Sequence, residues 1–135
     1  MSRENVDTVR RLFAYWEQGE WQASAELFDP DFEAVFSSGA FPDPGTYRGA
    51  RRTLDAWRAW LEAWEEFSLE LEDAIPVGER VVVLNHLRGR GQASGIAVDA
   101  EVGCIFDLEG GRIVRMVFCD RRQALDAAQA AGHRG

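Results

Sequence analysis

A chain of 135 residues, 46% hydrophobic and 28% charged, has the composition of one folded domain spanning 1–135 with its own core, which excludes disorder. The 23 acidic residues outnumber the 15 basic ones and leave a net charge of −8, so nucleic acid is not the expected partner, because phosphate binding needs a basic surface. No apolar run approaches the ~18 residues of a membrane span, and the N-terminus, MSRENVDTVRRLF, lacks the apolar stretch of a signal peptide. The expected location is the cytoplasm.

Residues 3–18 place Val6, Val9, Leu12, Phe13 and Trp16 at helical spacing, with Gly19 as the C-cap. Residues 21–28 predict a second short helix closed by Asp29-Pro30. Phe32–Phe36 reads as a short strand. Residues 37–49, rich in glycine and proline, read as a loop. Residues 50–64 predict a third helix with Trp57, Trp60, Leu61 and Trp64 on one stripe. After residue 66 come four strands, FSLELEDAIPV, RVVVLNHLRGRG, GIAVDAEVGCIFDLE and RIVRMVFCD, and then a short helix over QALDAAQAAG. Three helices with one early strand, followed by an antiparallel meander, form an α+β pattern: a curved sheet with helices on its concave face.

The last hairpin assigns faces. Val102, Cys104, Phe106 and Leu108 are all apolar, as are Val114, Met116 and Phe118 on the return strand. A two-residue loop at Gly110-Gly111 would pair even residues with odd ones. A three-residue loop keeps even with even and builds one apolar face, so it is the expected form. Asp120 continues that face. The opposite face still carries Ile105, Ile113 and Val117, too apolar for open water and suited to a dimer contact. Cys104 and Cys119 sit in apolar strand patterns and read as buried thiols. No cysteine–histidine spacing suggests a metal site, and no cofactor motif is present.

Four polar or aromatic features are candidates for chemistry. His86 and Arg88 share a strand face, but Val81–Leu84 are apolar at every position, so alternation does not choose the face. Asp43, in FPDPG, reads as a turn aspartate or as a general base beside apolar surface. Asp120 reads as a helix N-cap, as a pocket group, or as both at once. The tryptophan stripe of the third helix either fills the core or leaves a cavity.

The segments LFDPDFEAVF, PDPGTYRG leading into LDAWRAWLEAW, RVVVLNHLRGRGQASG and CIFDLEGGRIVRMVFCDRRQALDAA resemble the SnoaL-like branch of the nuclear transport factor 2-like superfamily. The resemblance spans nearly the whole chain. It implies an α+β cone, a strongly curved mixed or antiparallel sheet wrapped around three N-terminal helices, with a deep pocket and a homodimer through the outer sheet face. Relatives include ketosteroid isomerase, polyketide cyclases and limonene-epoxide hydrolase. Asp43 matches the isomerase's general base, whereas its two oxyanion donors fall at Leu12 and Cys104, which cannot donate as they do. The strand-end aspartate of the hydrolase falls near Val117 or Phe118. The resemblance also places His86 and Arg88 on the concave side.

The expected site therefore has Asp43, His86, Arg88 and Asp120 as catalytic candidates. Its walls are Phe13, Trp16, Trp57, Trp60, Cys104, Phe106, Met116 and Phe118. Such a pocket suits a small hydrophobic molecule carrying a carbonyl or hydroxyl, converted by cofactor-free acid–base chemistry of isomerase, cyclase or hydratase type. The alternatives are a non-catalytic ligand-binding domain and a dimeric interaction domain whose interior the tryptophans fill.

Overall fold

The computed structural model describes residues 2–36, 45–62 and 64–132. In chain order it holds α1 (Ser2–Glu17), a 3₁₀ turn (Ala23–Leu27), β1 (Phe28–Phe36), β2 (Gly45–Arg48), α2 (Ala50–Glu62), β3 (Trp64–Val77), β4 (Arg80–Gly91), β5 (Ala97–Glu109), β6 (Arg112–Asp120) and α3 (Arg121–Gly132). The α1 helix turns Asn5, Val9, Leu12, Phe13 and Trp16 inward, because they recur on one face. Gly19 ends it as expected. Its φ of 75° lets Gly19 N–H donate to Trp16 O at 3.0 Å and Glu20 N–H to Tyr15 O at 2.9 Å, the double closure of a Schellman motif.

Three local expectations give way. The second helix is only a 3₁₀ turn, and β1 starts at Phe28, running through Pro30. Proline lacks an N–H, and the β1–β6 pairing is interrupted between Phe28 and Glu33, where Pro30 falls. The end of the expected loop forms β2, which pairs with β1 through Ala34 and Tyr47. The third helix stops at Glu62, so Trp64 belongs to β3.

The strands order as β2-β1-β6-β5-β4-β3, with β1 and β6 parallel and every other pair antiparallel. The sheet is curved, mixed and unclosed, and with its helices makes an α+β cone. Its inner face carries Phe36, Leu69, Val81, Val83, Leu87, Val102, Cys104, Phe106, Met116 and Phe118, packed against α1 and Trp57 of α2.

The outer face has a row that crosses all six strands: Ile75, Val82, Ile105, Val117, Val35 and Thr46 lie side by side in register. The adjoining row alternates in charge. Arg80 pairs with Asp107 at 2.7 Å, and Glu33 with Arg115 at 3.1 Å and Arg48 at 3.5 Å. The α3 helix lies over this outer face at Val82, Leu84 and Cys119 through Ala124, and so covers part of the row.

The final hairpin keeps even residues opposite even ones, Cys104 with Phe118 and Phe106 with Met116. It does so by a different device from the expected loop. Gly110 and Gly111 form a two-residue turn with φ of 59° and 81°, and Glu109 faces Arg112. Val114 is then an extra residue between Ile113 and Arg115, a β-bulge that resets the parity. One consequence is that Ile113 faces the core, fully buried, instead of the outer surface.

Candidate functional site

Rings dominate the interior. Phe118 stacks with Phe36 at 5.2 Å and 4° between planes, with Trp57 at 5.2 Å and 20°, and with Trp16 at 6.1 Å and 25°. Four rings from α1, α2, β1 and β6 thus lie nearly parallel. Trp16 is fixed by its Nε1–H, which donates to Ser24 Oγ at 3.2 Å, while Ser24 donates to Trp21 O at 2.6 Å. Beside the stack lies a cavity of about 30 Å³, bordered by Trp16, Trp21, Trp57, Met116 and Phe118. That is room for a water or two, not for an organic molecule. Phe13 and Phe106 close the other side, edge to face at 6.2 Å.

Among the described residues the buried polar side chains are Asn5, Ser24, Thr53 and Asn85. Asn5 donates to Glu79 O at 3.0 Å, Thr53 donates to Gly49 O at 2.9 Å, and Ser24 is bonded as above. Asn85 is fully buried, and neither its amide oxygen nor its amide nitrogen has a partner. It sits on the inner face of β4, in line with Val81, Val83 and Leu87 and flanked across the ladder by Leu71 and Val102. Sequence reasoning passed over it. The signal was present: Arg90 extends the His86–Arg88 series with a third polar residue, whereas Leu87 continues the series of Val81 and Val83, so Asn85 belongs to the more apolar set.

His86 and Arg88 face outward, contrary to expectation. They alternate with Asn85 and Leu87 and continue the outer series of Val82 and Leu84, which α3 covers. His86 is in contact with Asp99 through Nε2, and its Nδ1 lies 3.8 Å from Glu72. Arg88 lies 3.7 Å from Asp99 and 3.9 Å from Glu70. Ligating atoms of Glu72, His86 and Glu101 all lie within 4.8 Å of one another, a spacing that a metal ion would accept. Arg121, however, spans both carboxylates at 3.6 and 3.4 Å and supplies the positive charge a cation would bring. The set closes on itself as a surface ion-pair network.

Asp120 takes the cap role. Its Oδ1 accepts from Gln123 N–H at 2.8 Å, and Gln123 Oε1 accepts from Asp120 N–H at 3.3 Å, a reciprocal capping box at the start of α3. Asp43 and the side chain of Trp60 lie outside the described residues. The expected wall residues Phe13, Trp16, Trp57, Cys104, Phe106, Met116 and Phe118 all lie in the core.

Both cysteines are free and buried, on opposite faces of the sheet. Burial, with Cys119 nearby, holds the Cys104 thiol well above its ordinary value. Burial, reinforced by the Asp120 carboxylate, pushes Cys119 up to about 11. The thiolate is the reactive form. The native protein is therefore expected to leave a disulfide reagent untouched at pH 8 over minutes and to release two equivalents in denaturant. Rapid native labelling of either thiol would contradict this burial.

Residues 9–116 match the family model of the SnoaL-like domain. The chain belongs to the SnoaL-like family. Several solved structures share the fold of this SnoaL-like chain. A protein from Jannaschia sp. CCS1, provisionally described as a SnoaL-like polyketide cyclase, is 25% identical with a TM-score of 0.78, over 94% of this chain and 92% of that one. A nuclear transport factor 2-like protein of unknown function from Burkholderia pseudomallei K96243 is 21% identical with a TM-score of 0.79, over 93% and 96%. TerC, co-crystallised with polyporic acid, is 17% identical with a TM-score of 0.77, over 93% and 97%. A comparison with curated proteins finds no match.

Proposed function

We propose that this SnoaL-like chain is a single domain that binds a small, largely hydrophobic molecule inside its cone, among the stacked rings that cover the inner sheet face. The observation that carries the reading is the near-parallel stack of Trp16, Trp57, Phe36 and Phe118. Parallel rings offer flat faces to a flat guest. Crystallisation of TerC, a protein of the same fold, with polyporic acid is consistent with such a guest. The cavity of about 30 Å³ means that the rings must part for entry.

Binding ranks ahead of turnover. The described inner sheet face carries no histidine, arginine or glutamate, and the Asp120 carboxylate is engaged as a cap. Acid–base conversion of a carbonyl or hydroxyl compound would rest on Asp43 as the base, and Asp43→Asn would abolish it while leaving binding intact. The test of binding is a titration of tryptophan fluorescence with naphthalene and with ketones, enones, epoxides and aromatic acids. Saturable quenching is expected, and it is expected to survive in the His86→Ala/Arg88→Ala double variant. No saturation by any compound, or loss of binding in the double variant, would overturn the reading. The double variant should also cost only about 1–2 kcal/mol, because Arg88 is exposed and each such pair contributes ~1 kcal/mol or less.

The partner of the outer face is, in this reading, a second copy of the chain. Val35 and Thr46 carry the row past Val117 to the β2 edge, and the alternating charges of Arg80, Asp107, Arg115, Glu33 and Arg48 border it. Part of the apolar surface that suggested a dimer is instead satisfied within the chain, since α3 covers Val82 and Ile113 faces the core. Light scattering at micromolar concentration should give twice the monomer mass, and Val35→Asp should halve it. A wild-type monomer would remove the dimer from the account. A cytoplasmic setting suits the two free thiols.

A further inference from the structure

We infer that Asn85 is the polar anchor of the interior site, and that the ligand it takes is a flat compound of two or three rings ending in a neutral O=C–N–H edge, a lactam or an imide. The inference rests on the interior-binding reading above and adds the chemistry of the ligand to it.

Of the buried polar residues Asn5, Ser24, Thr53 and Asn85, Asn85 is the one whose side chain has no hydrogen-bond partner among the described residues. Its neighbours along and across the ladder are Val83, Leu87, Leu71 and Val102, none of which carries a polar side chain, whereas a trapped water needs about three polar partners. A valine there would match the rest of the strand, so the amide carries a cost that only an occupant recovers. An asparagine side chain presents a carbonyl acceptor and an N–H donor side by side in one plane. Its complement is a group with a donor and an acceptor likewise adjacent and coplanar. A single hydroxyl or ketone satisfies half of it. An ionised carboxylate offers no donor and would be buried without a cation, since none of the described inner-face residues carries positive charge. The cis O=C–N–H edge of a lactam or imide satisfies both atoms and brings no charge.

Length follows from the sheet. Asn85 is opposite Val102 on β5, and Phe118 of the ring stack is opposite Cys104 on the same strand. Asn85 and Phe118 are thus two strands and two residues apart, about 12 Å at strand spacings of ~4.8 Å and ~3.3 Å per residue. A bicyclic or tricyclic plane spans that distance with one end among the rings and the other at Asn85.

The test is calorimetric titration of wild type and Asn85→Val with 2-quinolone, N-methyl-2-quinolone and naphthalene, together with the melting temperature of each ligand-free protein. Methylation keeps the ring and deletes the donor. Wild type should bind 2-quinolone at least about tenfold tighter than its N-methyl form, as expected when a buried amide is left half-bonded. In Asn85→Val the two should bind alike, and the ligand-free variant should melt above wild type. Should the valine variant fail to fold, Asn85→Ala must show the same loss of discrimination. Equal affinities in wild type, a preference that persists in the variant, or a lower melting temperature for Asn85→Val would overturn the anchor. If naphthalene binds and the lactam gains nothing, the anchor fails and interior binding stands. If none of the three binds, both fail.

Discussion

Phe118→Ala is expected to lose about 3–5 kcal/mol of folding stability, the range for deleting a buried aromatic ring. Phe118 is 1% exposed and is the ring that joins the other three: Trp16, Trp57 and Phe36 all stack on it. Each such pair adds roughly 0.5–1.5 kcal/mol beyond burial. Removing the ring also enlarges a cavity already present against it, and the flanking strand ladders prevent the walls from collapsing to fill it. Urea unfolding at 25 °C measures the loss, with Val117→Ala, one residue away and half-buried on the outer face, as the control. The control should lose far less. A Phe118→Ala loss no larger than that of Val117→Ala would mean that the stack is not a principal element of the core.

Gly103→Ala should cost about 2–3 kcal/mol, within the range for overpacking, although it adds one methyl group. A Cβ at Gly103 would lie 2.5 Å from Ala124 Cβ and 3.1 Å from Asp120 O. Neither neighbour yields easily. Ala124 is on α3, and Asp120 is the cap that starts it. Relief requires α3 to lift from the sheet, which would uncover Cys119 beneath it. The thiol that resists labelling in wild type should then react in Gly103→Ala. Ala124→Gly in the same chain removes the closer contact. The double variant should lose at least ~1 kcal/mol less than the two single losses added together, despite the cost of glycine in a helix. Simple additivity, with Cys119 still protected, would show that α3 does not lie against Gly103 as described.

Most of the architecture was legible because its signals are local. The stripe of α1 predicts its buried face, Gly19 its end, and the Gly110-Gly111 pair the last hairpin turn. The exceptions are also local in origin. Pro30 reads as a stop, yet its missing N–H was absorbed by an interruption in the ladder. Residues 45–48 read as loop because a four-residue edge strand has too little periodicity to register. In the last hairpin the even-with-even pairing was correct, whereas the mechanism was not. Hydrophobic pattern dictates which faces must match, but a longer loop and a bulge at Val114 satisfy that pattern equally.

The site was less legible, and β4 shows why. By itself the sequence determined the α+β class, the order of the longer helices and of the last four strands, the aromatic interior and the shared face of His86 and Arg88. It did not determine which face that was. Alternation carries information only when one side is polar, and Val81–Leu84 are apolar on both. The tertiary structure made the choice. Register sets Val83 opposite Cys104 and Asn85 opposite Val102, and α3 returns over the outer face to bury Val82 and Leu84. A helix more than thirty residues downstream thus makes both sides of one strand apolar. The same packing turned the polar pair outward into an ion-pair network and left the neutral amide of Asn85 in the apolar interior, where low dielectric makes an unpaired hydrogen-bonding group costly.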